Sequence, residues 1–302
     1  MTSIMFSIFG IYIFIVLGFI SKMSFKDKID DKTITIINVY FLQIFLTFWG
    51  LLVRPIDMSL LHISGIYLFI VLLVWVISAL VAKKIFYEKK EYSIATVSAL
   101  IANTGNLGIP LCIAIFGEES IPYATIINLM NIFIVYTIGV FYYSRGSFDI
   151  KTSLTNIFKL PILWAAFIAL ALGAYGYRPD GVVLNTLMMG AYGSMTMQLF
   201  LFGIYLYGAE IRLISKTLII WILSIKFLVI PIVTFIVLLF IDISPMLKGI
   251  LFIEMLMPLA IANINLSSLY DCKPKTVTVL TFISSFVFLI VIFAGIKILE
   301  FF

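Results

Sequence analysis

Ten times along the chain an apolar stretch continues for about 18 residues or more before a short charged connection follows. We place these stretches at 4–21, 33–53, 60–82, 92–116, 120–144, 157–175, 181–208, 217–241, 246–270 and 276–299. As helices rising ~1.5 Å per residue, segments of this length cross the ~30 Å hydrocarbon core of a bilayer. A helix also satisfies its own backbone N–H and C=O groups where no water can. Composition agrees: 63% of residues are hydrophobic and 12% charged, with a mean hydropathy of +1.19. Soluble domains are roughly half apolar and a quarter charged. The sequence therefore predicts an all-α polytopic membrane protein without a soluble domain. No Lys or Arg precedes the first stretch and no small-residue cleavage site follows it before "SKMSFKDK", so it is expected to be a retained span rather than a leader. Cys112 in span four and Cys272 in a loop give no disulfide framework.

Placement of Lys and Arg between spans sets the expected orientation. Alternate connections carry Lys22, Lys26, Lys28 and Lys32; then Lys83, Lys84, Lys89 and Lys90; then Arg145, Lys151 and Lys159; then Arg212 and Lys216; then Lys273 and Lys275. That puts fifteen of the twenty basic residues on one side. The opposite connections hold only Arg54 and Arg178, while Lys226, Lys248 and Lys297 lie within or beside spans. The basic side is expected to be cytosolic, with both termini outside the cytoplasmic membrane and an even number of spans.

The spans divide into two sets of five, 1–150 and 151–302. An odd number per set inverts the second copy in the membrane, an arrangement common in secondary transporters. "IVLGFISKMS" at the end of span one and "LALGAYGYRP" at the end of span six share an apolar run, a Gly and a polar exit. Position is the stronger argument, because the fourth member of each set is interrupted. Span four carries Asn103-Thr104-Gly105-Asn106-Leu107-Gly108-Ile109-Pro110, and span nine carries Met257-Pro258 with Asn263 and Asn265 shortly after. Pro removes a donor and Gly loosens the backbone. Such backbone survives at membrane depth only against protein or a water-filled cavity. Counting along the helices puts Asn103 ~18 Å and Asn263 ~12 Å from the cytosolic edge. The two breaks are thus expected to meet near the midplane as crossing, antiparallel broken helices.

Half-helix N-termini at such a crossing suit a carboxylate, and half-helix C-termini suit a cation or a donor. Pro110 fits the preference for Pro in a first helical turn. Asn103, Thr104, Gly105, Asn106, Gly108, Pro110, Pro258, Asn263 and Asn265 are the candidate substrate-binding residues; a single break could equally be a Pro kink. Lys226 in span eight and Glu254 in span nine fall near the midplane, where a charge facing lipid costs roughly 2.5–3.5 kcal/mol. They are expected to face inward, either as a coupling carboxylate and an anion-attracting ammonium or as a structural ion pair. Asn38, Gln43 and Gln198 could line a pocket, or hydrogen-bond between helices. His62 is expected at the interface.

"NTGNLGIPL" followed by "IFGEES", together with "MPLAIANINLSSLYDCKP" and the ten-span layout, resembles the auxin efflux carrier family of secondary transporters. That family includes plant auxin exporters and bacterial permeases assigned to malonate and other carboxylates. The resemblance covers essentially the whole chain. It implies two inverted five-helix repeats with crossing, broken fourth and ninth helices, mostly organic-anion substrates, and a second copy of the chain as partner. On it, Asn103, Gly108 and Pro110 match the first crossover motif and Pro258 the second.

The expected function is therefore that of a permease for a small organic anion, a carboxylate, without a bound cofactor or metal and with coupling to H+ or Na+. A sodium-coupled symporter of the bile acid type shares the architecture and is an alternative, as is a membrane sensor that binds without transporting. An enzyme is not expected: no His-Glu-x-x-His, Gly-x-Ser-x-Gly or paired intramembrane Asp is present. A channel would show a continuous polar stripe rather than two local breaks. The basic net charge follows the loops, not a nucleic-acid surface.

Overall fold

The computed structural model describes residues 2–53, 58–144, 161–207 and 215–302, with the side chains of 2–9, 11, 32, 39, 58, 268 and 269 left aside. Arg54, Arg145, Lys151, Lys159 and Arg212, used above for orientation, lie outside the described residues. Among these residues there is no strand, only an isolated antiparallel bridge between Ala102 and Leu259. The helices are α1 (Thr2–Phe25), α2 (Thr33–Leu52), α3 (Met58–Ile85), α4 (Lys89–Val97), α5 (Ile109–Phe116), α6 (Glu118–Tyr143), α7 (Pro161–Ala174), α8 (Gly181–Leu206), α9 (Lys216–Leu239), α10 (Pro245–Leu256), α11 (Ile261–Leu269) and α12 (Pro274–Ile298).

Six helices among the described residues are long and apolar enough to cross a bilayer, namely Thr33–Leu52, Ser59–Ile85, Glu118–Tyr143, Gly181–Leu206, Lys216–Leu239 and Pro274–Phe301. Spans four and nine do not reach that length because each is divided, into α4 and α5 and into α10 and α11. Helix ends follow the local chemistry. Pro starts α10 and α12, where its missing N–H is not needed, and the Ser244 hydroxyl accepts from the Leu247 amide as a cap. Gly117, at φ 78°, ends α5.

The chain packs as two compact units, Met1–Leu61 with Gly105–Ile126 and Ile157–Gly208, and His62–Thr104 with Ile127–Asn156 and Ala209–Phe302. Each unit draws on both sequence halves, so 1–150 and 151–302 are not themselves the compact bodies. In the first unit α1 and α8 touch backbone to backbone. A Cβ on Gly18 would lie 1.9 Å from the Phe200 carbonyl oxygen, and one on Gly203 would lie 1.9 Å from that of Ile15. Small residues at helix contacts are how packing in lipid gains dispersion energy without a hydrophobic driving force. The second unit holds the broken spans around a buried core that includes Ile70, Val74, Ile94, Val97, Leu251 and Ile292. Its outward residues are apolar too: Leu80 is 64%, Ile220 65% and Ile290 76% exposed, the surface a bilayer covers.

Candidate substrate site at two broken helices

The second unit contains the meeting of the breaks. Helix α10 ends at Leu256 because Pro258 follows: Met257 takes up the extended conformation (φ −53°, ψ 142°) that the residue before a Pro prefers. Helix α4 ends at Val97, and its chain stays out of the helix from Ser98 to Asn103, a stretch with neither Gly nor Pro. The Gly-rich part expected to be unwound, Thr104–Gly108, is instead a wide helical turn leading into α5, with Pro110 in the first turn of that helix. The interruption in span four therefore begins about one helical turn earlier than its Gly and Pro residues suggest.

Each broken backbone supplies the other with hydrogen bonds. The Asn103 N–H donates to the Pro258 carbonyl at 2.8 Å, and the Ala260 N–H donates to the Ile101 carbonyl at 2.9 Å. Side chains complete the set. Asn131 of α6 grips Ala102 on both sides, Nδ2 donating to its carbonyl at 2.7 Å and Oδ1 accepting from its N–H at 3.3 Å. Tyr67 of α3 also donates to Asn131 Oδ1 at 3.1 Å. Nδ2 of Asn263 lies within bonding distance of the carbonyls of Ser98, Ile101 and Ala260, at 3.3, 3.0 and 3.2 Å, while its Oδ1 accepts from Tyr143 at 2.9 Å. The Leu259 N–H donates to the Ser284 hydroxyl of α12 at 3.2 Å. Peptide groups that hydrocarbon would leave unpaired are thus satisfied within protein. Gly139 allows the close approach: a Cβ there would meet Ile101 Cδ1 at 2.8 Å and Leu266 Cδ1 at 3.1 Å.

The predicted site residues separate by use. Asn263 is fully buried and spends its amide on the crossing itself. Asn103 is 2% exposed, and its Nδ2 has no hydrogen-bond partner among the described residues. Thr104 is buried and donates to Asn128 Oδ1 at 3.0 Å. Pro258 contributes its carbonyl to the bridge. Asn265 lies on the exposed side of α11. The chain passes into the first unit after Thr104, carrying Gly105, Asn106, Gly108 and Pro110 there; Asn106 is half-buried, and Pro110 borders a groove of about 350 Å³ with Phe14, Tyr192, Met195 and Thr196.

Lys226 and Glu254 both belong to the second unit and both are buried, at 1% and 0% exposure. Pro231 cannot complete the ladder of α9, which widens over Ile225–Val229, and Lys226 sits in that turn. With Tyr67, Leu100, Ala102 and Met255, Lys226 borders a void of about 10 Å³, roughly the size of one water. Asn38 and Gln198 lie in the first unit and meet through Ser194, whose hydroxyl donates to Asn38 Oδ1 at 3.0 Å and accepts from Gln198 Nε2 at 3.2 Å. Gln43 is half-buried on α2, one turn from that cluster in sequence.

Sequence reading did not single out Asn128, Asn131, Tyr67 or Ser284. Asn128 and Asn131 carried a usable signal, since two amides three residues apart share one face of a span. At the loop ends of the broken spans, Lys273 donates to Glu88 and Glu91, and Lys90 reaches Asp271 at 3.1 Å. Burial pushes the Cys272 thiol between them up to about 11, so it stays protonated at neutral pH.

Helices of membrane-spanning length, with buried polar groups gathered where two of them are interrupted, define a membrane transporter. Over residues 3–294 the chain matches the family described as membrane transport protein. It is also similar to an uncharacterized transporter of Methanocaldococcus jannaschii, 27% identical over 233 residues that cover 73% of each chain. The chain belongs to the membrane transport protein family, that of the auxin efflux carriers.

Proposed function

We propose that the protein moves a small organic anion, a carboxylate, across the cytoplasmic membrane by alternating access, with both termini outside. The substrate contacts the crossing of spans four and nine through the Asn103 amide. The observation carrying this reading is the spare donor: the side chains of Tyr67, Asn131, Tyr143, Asn263 and Ser284 are engaged at the bridge, while Asn103 Nδ2 is buried without a partner. A buried donor left unpaired costs about 1–3 kcal/mol, which a carboxylate oxygen would recover. Lys226 lines the void beside Ala102, and its ammonium form favours an anion over a cation there. The carbonyls of Ser98, Ile101, Ala102, Pro258 and Ala260 already accept hydrogen bonds. That supports H+ rather than Na+ as the coupling ion, with Glu254 as its carrier.

Uptake of radiolabelled mono- and dicarboxylates and indolic acids into proteoliposomes tests this. The expected result is saturable uptake that persists when Na+ is replaced by choline and falls at least about tenfold in Asn103→Ala, the worth of one buried polar contact. Glu254→Gln is expected to remove the dependence on a pH gradient. Uptake that stops in choline would favour the sodium-coupled symporter, and binding without flux the sensor.

A further inference from the structure

The segment "KKIFYEKKEY", Lys83 to Tyr92, joins α3 to α4 and carries four lysines against two glutamates. The structure shows which charges are already used. Glu88 and Glu91 are both bound by Lys273, and Lys90 is bound to Asp271. Lys83, Lys84 and Lys89 are exposed and make no ion pair among the described residues. Lys83 and Lys89 border a groove of about 430 Å³ whose other walls are Phe86, Tyr87 and Tyr92. Tyr92 is fixed there by donating to the Ala79 carbonyl at 3.3 Å, and Tyr87 stands at the rim, 90% exposed. Directly below on α3 runs an apolar exposed stripe, Leu73, Val76, Ile77, Leu80 and Val81, at the spacing of one helix face. Lys83 and Lys84 continue that face.

We infer that this groove binds the headgroup of an anionic phospholipid, with its phosphate on Lys83, Lys84 and Lys89 and its acyl chain along the Leu73–Val81 stripe of α3. The occupant follows from charge and polarity together. Three uncompensated lysines call for an anion, aromatic rings line the interfacial level, and the continuous apolar stripe calls for hydrocarbon in the same molecule. Each lysine near a charged membrane surface adds to the attraction for anionic lipid, so the three together select one lipid class.

The test is native mass spectrometry and thermal melting of the purified full chain in neutral detergent, supplied with dioleoylphosphatidylglycerol or dioleoylphosphatidylcholine. The wild type is expected to retain the anionic lipid in preference and to melt higher with it. The triple variant Lys83→Gln, Lys84→Gln, Lys89→Gln should lose about tenfold or more of that preference, and the corresponding Arg triple should keep it. A control with Lys28→Gln, Lys216→Gln and Lys275→Gln, lysines exposed in other connections, should also keep it. Equal retention of both lipids by the wild type, or an equal loss in the control, would overturn the site. So would stabilisation by sn-glycerol 3-phosphate as large as that by the lipid, which would mark a water-soluble ligand.

Discussion

The two breaks that meet at Ala102 and Leu259 have different origins. The interruption of span nine is written locally: Pro258 cannot donate, and Met257 before it is turned out of the helix. The interruption of span four is imposed from outside. Ser98–Asn103 contains only residues a helix accepts, and it is held open by Asn131 on Ala102 and by Asn263 on Ser98 and Ile101. One break is a property of its own sequence and the other is a property of its neighbours. A membrane helix can thus be opened without a helix breaker when buried amides from other helices take over its peptide groups.

Substitutions should separate the two origins. Asn263→Ala should have the largest effect, about 3 kcal/mol, because it removes the buried amide that ties span nine to Ser98 and Ile101 and to the Tyr143 hydroxyl; thermal unfolding followed by tryptophan fluorescence reads this. Asn131→Ala should come next, at about 2 kcal/mol, since it releases both sides of Ala102 and frees Tyr67. Hydrogen exchange at Ala102 should then quicken, since its N–H loses the Asn131 Oδ1 acceptor. Pro258→Ala should cost less, about 1 kcal/mol, because the ladder to Ile101 and Asn103 and the Ser284 bond still hold span nine open. A Pro258 variant that melts lower than the Asn263 variant would reverse the assignment of local and imposed breaks. Asn103→Ala should change stability least, since removing a buried donor that has no partner offsets the small void left by the shorter side chain.

The same contrast explains what could be read from the sequence. The helical class and the interruption at Pro258 follow from hydropathy and backbone chemistry, which are local. Pro110 in the first turn of α5 was legible for the same reason. The register of the fourth break was not, because Gly105 and Gly108 pointed one turn too late and the residues that open the chain lie on α6 and α11. Asn263 and Asn103 looked alike as amides at the same depth. Only the packing shows that one is consumed by the crossing and the other is left with a donor to offer. The division into two units was also hidden, since it joins segments from both sequence halves and depends on which helix faces meet.

The central claim is that the Asn103 amide belongs to the substrate while the rest of the crossing belongs to the fold. The most direct measurement is the melting temperature of wild type and Asn103→Ala, each with and without a carboxylate that stabilises the wild type. The account predicts matching temperatures for the two unliganded proteins and no ligand-induced rise in the variant. A variant that melts far lower on its own, or that rises with ligand as much as the wild type does, would contradict it.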